Sequence, residues 1–285
     1  MKRLHRKVCI ITGGAGGIGF AAVERFLLEG ACVVLADLNE ELGREKTELA
    51  AAQGYRDKVR FCSCDISDEN QVEEMMRFAV SEFGRLDSIF NNAGIGGAFG
   101  PLTDIRVRDW DRTLSIVLRG TFLCVKHAAR TMQQQNSGGS IVNNASVVAH
   151  VGDSAGAAYA AAKAGILSLT YFASRELSAD RIRVNSVSPG TIVTPLLHRG
   201  GNASELEEAA VGHQPWPIVE TGYHVAATAA FLASDEAKFL TGEEVFVDGG
   251  ASAAGPGYAS AEGGMRELLM PFGEKVLDET ATHVG

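Results

Sequence analysis

Tyr159 and Lys163 stand four residues apart in Tyr159-Ala160-Ala161-Ala162-Lys163, and Ser146 lies thirteen residues before the tyrosine. Four residues is about one helical turn, so a helix here puts phenol and ammonium on one face. A neighbouring ammonium favours the phenolate and is expected to pull the tyrosine below its ordinary pKa of about 10. Such a pair can exchange a proton near neutral pH. An alanine-rich helix can also carry a surface Tyr and Lys that do no chemistry. The elements around the pair decide between these readings.

Short apolar runs alternate with longer amphipathic stretches. Strands are predicted at Val8–Thr12, Cys32–Ala36, Val59–Cys64, Leu86–Asn91, Ser140–Ala145, Ile182–Val187 and Glu244–Val247. Helices are predicted at Ile18–Glu29, Asn39 to about Ala52, Glu69–Phe83, Trp110–Gln134 and Ala157–Ala179. Continuous apolar strands alternating with helices predict an α/β fold, a doubly wound parallel sheet covered on both faces. Crossovers should be right-handed. Nothing divides residues 1–250, read as one domain. Residues 251–285 are rich in Gly, Ala and Ser and read as a C-terminal tail, a packing or oligomer element.

The 285 residues carry 33 glycines and a net charge of −9, which argues against nucleic acid as a partner. Cys9, Cys32, Cys62, Cys64 and Cys124 are odd in number and scattered through apolar runs. No disulfide framework or metal site is expected, and the reading is of buried reduced thiols in a cytoplasmic protein. The basic start is too short in apolar residues for a signal peptide. No run of about 18 apolar residues predicts a membrane span.

The first strand leads into Thr12-Gly13-Gly14-Ala15-Gly16-Gly17-Ile18-Gly19 and then a helix. Glycines let backbone approach a pyrophosphate, and the helix N-terminus offers free N–H groups and positive potential. Asp37, eighteen residues after Gly19, ends the second strand. A carboxylate there can accept hydrogen bonds from both hydroxyls of an adenosine ribose and would repel a 2′-phosphate. Leu38 follows, and no Arg or Lys interrupts the glycine turn, so NAD is expected over NADP. Asp65-Ile66 after the third strand leaves two readings open, a bond to an adenine amino group or a helix cap. Asn91-Asn92-Ala93-Gly94 ends the fourth strand, where small residues allow close approach to a cofactor ribose.

These stretches together resemble the short-chain dehydrogenase/reductase family. The matching residues are Thr12–Gly19, Asp65, Asn91–Gly94, Ser146, Tyr159–Lys163, Asn185, Pro189–Pro195 and Val247-Asp248-Gly249-Gly250, in the family's order. The resemblance implies one Rossmann domain with seven strands, usually assembled as a tetramer. It implies that Tyr159 is the general acid/base and that Lys163 bonds the nicotinamide ribose and lowers the tyrosine pKa. Ser146 would hold the substrate oxygen. The segment from Pro189 through Gly190 and Ile192 to Thr194 would seat the nicotinamide carboxamide. Asn185 reads as structural. One position departs: Val117, three residues before Gly120, stands where the family usually has Asn in its proton relay.

The resemblance implies interconversion of a secondary alcohol and a ketone. Phe99, Val148, His150, Leu196 and Trp216 are expected to border the substrate with few charges, which suits an apolar or cyclic substrate of terpenoid, steroid or aromatic type. His150 also reads as a polar loop histidine. Two other functions compete. One is an NAD-binding regulator without turnover, which Val117 favours. The other is an acyl-thioester reductase, which would call for NADP and basic residues that Asp37 and the local composition oppose.

Overall fold

Every residue of Val8–Thr12 (β1) is buried, as a strand covered on both faces requires. Cys9 and Ile11 join one core while Ile10 joins the other, because successive strand side chains point to opposite faces. The computed structural model describes residues 2–151, 155–192, 211 and 214–253.

The chain continues through Gly17–Leu28 (α1), Cys32–Asp37 (β2), Glu40–Ala50 (α2), Val59–Ser63 (β3), Glu69–Phe83 (α3) and Ser88–Asn91 (β4). Val107–Leu114 (α4), Gly120–Gln135 (α5), Gly139–Asn144 (β5), Ala157–Glu176 (α6) and Ile182–Pro189 (β6) follow. Gly222–Ala233 (α7) and Glu244–Val247 (β7) complete the described elements. All pairings are parallel, and the order is β3-β2-β1-β4-β5-β6-β7. This is the doubly wound seven-stranded sheet expected. The order reverses between β1 and β4, where ligands bind in such sheets.

Two differences from the predicted elements are informative. The helix expected over Trp110–Gln134 is interrupted by a wide π-type turn at Ser115–Arg119. It brings Gly120 so close to Ile66 that a Cβ there would stand 2.7 Å from Ile66 Cδ1. Helix α7 was not predicted at all. It buries Val225, Ala226, Ala229, Ala230, Leu232 and Ala233 among α1 and sheet residues, so it is apolar nearly all round and shows no amphipathic stripe. Its start was encoded: Thr221 caps it, and the His224 side chain bonds back to the Thr221 N–H at 3.0 Å.

One large core lies under α1 and α7 and a second under α3 and α5. A third, smaller cluster joins Val117, Ala145, Ala162, Ile166 and Leu167. No helix among the described residues is long and apolar enough to cross a membrane. The five cysteines are free. Phe26 is fully buried in the first core. Phe26→Ala should lower unfolding free energy by about 3–5 kcal/mol, read as an earlier urea midpoint.

Candidate active site

The glycine turn leaves its backbone open beside a helix N-terminus, the geometry an anion requires. Gly13 sits at φ +63°, and a Cβ there would meet the Ala93 Cα at 2.9 Å. A Cβ on Gly19 would stand 1.9 Å from the Gly13 carbonyl oxygen, so helix α1 starts against the turn itself. Above Gly16 there is nothing within 4 Å. Gly16 leaves α1 without a side-chain cap, so the N–H groups of its first turn, including Gly17 and Ile18, are free to face an anion.

Asp37 lies beside this turn. One carboxylate oxygen accepts from the Ala15 N–H at 3.0 Å and the other from the Asn39 N–H at 2.9 Å. Each oxygen keeps a lone pair for a ribose hydroxyl. Leu38 is exposed next to it. Asp65 accepts from the Ser67 N–H and hydroxyl at 2.8 and 2.7 Å, which closes the turn before α3, while Asp68 is the cap of α3. Ile66 is buried against Gly120. A Cβ on Gly94 would meet nothing nearer than Val117 Cγ2 at 3.8 Å, so backbone there is open to a ligand.

Across the sheet edge, Ser146 follows β5 and its hydroxyl accepts from the Val148 N–H at 3.3 Å. Ala145 and Ala149, on either side of it, pack in the same apolar cluster as Tyr159. The structure thereby brings the serine turn and the tyrosine helix together. The Lys163 nitrogen stands 5.3 Å from the Tyr159 ring centre and donates to the Asn144 carbonyl at 2.5 Å. Burial lowers the Lys163 ammonium to about 7 and raises the Tyr159 phenol to about 12, although its ring keeps partial solvent contact. The lowered tyrosine pKa expected from spacing is therefore not produced by the protein alone. Desolvation outweighs the neighbouring ammonium, whose own charge is weakened by the same burial.

Val117 is buried, and its carbonyl accepts from the Thr121 hydroxyl at 2.7 Å. Asn144, which the sequence reading did not single out, stands in the polar line that remains. Its amide donates to Asn92 Oδ1 at 2.9 Å, and Asn92 donates to the Thr12 carbonyl at 3.0 Å. Asn144 Oδ1 is buried without a partner among the described residues. Two adjacent asparagines ending an apolar strand, Asn143-Asn144, were the available signal. Asn185 bonds the Leu240 carbonyl and the Glu243 N–H, a structural role as expected.

Pro189 ends β6, the Gly190 N–H bonds Val247 O at 2.9 Å, and Ile192 is buried. A Cβ on Gly190 would lie 3.0 Å from Glu220 Oε2. The Glu220 carboxyl is buried without a hydrogen-bond partner among the described residues, and burial followed by the nearby Asp248 raises it to about 8. Of the expected substrate border, Phe99 and Val148 are half-buried and Trp216 is exposed. The His150 ring lies on Phe246 and bonds Glu244. Thr194 and Leu196 lie outside the described residues. Among the described residues there is no cluster of three or more metal-binding side chains.

The open glycine cradle, the free N–H groups of α1, Asp37 and the orphaned Asn144 oxygen all fit a nicotinamide dinucleotide laid across the sheet edge. A family model described as enoyl-(acyl carrier protein) reductase matches residues 13–252. Short-chain dehydrogenase reductase 3b of Arabidopsis thaliana is 40% identical over 259 residues, 90% of this chain and 99% of that protein. A (+)-cis,trans-nepetalactol synthase of Nepeta racemosa is 41% identical over 257 residues, 87% of this chain and 94% of the synthase. The crystal structure of a levodione reductase superposes with a TM-score of 0.82 at 35% identity, covering 88% of this chain and all of that one.

Lys163 binds fewer protons folded than unfolded between about 7 and its ordinary 10.5, so its penalty on stability is full below that window and fades as pH rises through it. In the ligand-free protein, Lys163→Met should gain stability over wild type at pH 7, and the gain should shrink toward pH 10. Other buried groups titrate in both proteins and cancel in the difference. Urea midpoints against pH check this; a gain independent of pH contradicts it.

Proposed function

The chain belongs to the short-chain dehydrogenase/reductase family, and we propose that it is an NAD-dependent enzyme interconverting a secondary alcohol and a ketone. The observation that carries this reading is the packing of the Ser146 turn and Tyr159 on one apolar cluster, with Lys163 beneath them. Asp37 carries the choice of NAD, since its carboxylate lies beside the glycine turn and Leu38, not a base, follows it.

In the oxidative direction Tyr159 takes the alcohol proton and Ser146 donates a hydrogen bond to the same oxygen. Lys163 holds the nicotinamide ribose and keeps positive charge near the phenol. A dinucleotide held by the glycine turn, Asp37 and Lys163 would supply the hydride acceptor and, in its oxidised form, positive charge beside the phenol. That charge opposes the desolvation that raises Tyr159 in the protein alone. In the reductive direction Tyr159 returns the proton to the carbonyl oxygen.

An apolar or cyclic substrate of terpenoid, steroid or aromatic type suits Phe99, Val148 and Trp216. The names of two relatives, a nepetalactol synthase and a levodione reductase, point the same way. Cytoplasmic location fits the free thiols. Assembly as a homotetramer fits the exposed Phe122 on α5, Phe172 on α6 and Phe239 before β7, apolar surface that subunit contacts would cover. The regulator reading draws on Val117, which lacks the side-chain amide of the Asn usual at that position. Such a protein would bind NADH and turn over no alcohol.

NAD⁺ reduction across cyclic, aromatic and aliphatic alcohols tests the proposal. Tyr159→Phe should lower kcat by about 10²- to 10⁴-fold with NADH binding retained, and undiminished turnover would remove Tyr159 from the mechanism. Asp37→Ala should weaken NADH binding about tenfold and relax discrimination against NADPH, by loss of charge-assisted hydrogen bonds. A wild-type preference for NADPH, measured by fluorescence titration, would overturn the cofactor assignment.

A further inference from the structure

Glu244 opens the last strand and its side chain is only 8% exposed. A carboxylate that far from water needs donors. Two side chains supply them, each from a different part of the fold. Nε2–H of His150 lies 2.9 Å from both carboxylate oxygens. The Ser188 hydroxyl donates to one of them. Tyr171 on α6 lies near it, and burial together with the Glu244 charge raises that phenol. Register explains the meeting. Glu244 pairs with Ser186, so it shares a sheet face with Ser188 two residues on, and α6 covers that face.

Both donors lie next to the chemistry. His150 ends the one-turn segment that begins at Ser146, held by Ala149 N–H to Ser146 O and His150 N–H to Val147 O, both 3.0 Å. Its ring also packs on Phe246, 5.3 Å between centres. Ser188 immediately precedes Pro189–Ile192, the segment that would seat the nicotinamide. One carboxylate therefore holds the ends of both walls.

We propose that Glu244 is a brace that fixes the substrate wall to the nicotinamide wall, with His150 as the positioning residue for the substrate and Ser188 for the cofactor segment. Neither touches the reacting atoms. Losing His150 frees the far end of the serine turn while Ser146 keeps its place after β5. Losing the Glu244 charge loosens both walls, because a glutamine exchanges one acceptor oxygen for an NH2 donor that faces the His150 N–H, and the bonds left on its neutral oxygen are weaker than charge-assisted ones. The effect on substrate rests on the alcohol–ketone reading above; the brace itself does not.

Hydrogen exchange on the full chain reads the brace without any turnover. Glu244→Gln should speed exchange at least about threefold in residues 147–151 and in residues 190–192, whereas His150→Ala should do so only in 147–151. Kinetics read the consequence. His150→Ala should raise the alcohol KM about fivefold with kcat and the NADH Kd within about twofold, and His150→Gln, which restores an N–H donor, should recover most of the loss. Glu244→Gln should raise both the alcohol KM and the NADH Kd. The double variant should match Glu244→Gln in alcohol KM, since both changes break one contact. Unchanged exchange in both segments of Glu244→Gln overturns the brace. An unchanged KM in His150→Ala, no recovery in His150→Gln, or additive effects in the double variant overturn the role of His150. If wild type oxidises no alcohol, the functional reading falls and the exchange experiment still decides the brace.

Discussion

Lys163 carries its amino group almost wholly inside the protein, on the helix face that packs under Ala145 and Val117, and donates to the Asn144 carbonyl. A cation in that position is unfavourable unless something polar meets it at bonding distance. This one requirement constrains much of the fold. Strand β5 must end where its last carbonyl points at the ammonium. Helix α6 also packs closely on the π-type turn, which Gly165 permits: a Cβ there would stand 2.9 Å from the Leu118 methyls. Asn144 must also stay fixed, and its side chain is held by Asn92, which bonds Thr12 at the start of the glycine turn. A line of polar contacts thus runs from the glycine turn after β1, across β4, to the lysine beside β5. Each member is expensive to remove, because its neighbour would be left buried and unpaired.

Much of this was legible in the residues. Val8–Thr12 and Cys32–Ala36 are apolar without alternation, and only a strand covered on both faces tolerates that. The glycine turn, Asp37 and the tyrosine–lysine spacing depend on local geometry, so they survive translation into the fold. What was not legible depends on partners distant in sequence. Helix α7 has no polar face because α1 and the sheet enclose it, so periodicity does not reveal it. The π-type turn at Ser115–Arg119 arises within a stretch whose composition is simply helical. The tyrosine pKa was misjudged in direction because spacing reports the ammonium and not the desolvation that outweighs it. Asn144 and Glu244 gain their roles only from residues dozens of positions away.

The sheet divides the work by strand. β1, β2 and β4 carry the parts that would bind the dinucleotide, where glycine removes side chains and lets backbone come close. β5, β6 and β7 carry the parts that would orient substrate and seat the nicotinamide, and these rely on side-chain bonds instead: Ser146 on the Val148 N–H, Asn143 on Thr170 of α6, Glu244 on His150 and Ser188. A backbone cradle is insensitive to which side chains surround it, whereas a wall hung on side chains changes shape when any of them changes. The boundary between them falls at β4 and β5, where Asn91 bonds Asn143 at 2.8 Å and Asn92 bonds Asn144 at 2.9 Å. Two amide pairs at one seam hold the glycine-turn half of the sheet and the serine–tyrosine half in register, which keeps Lys163 in place relative to the glycine turn.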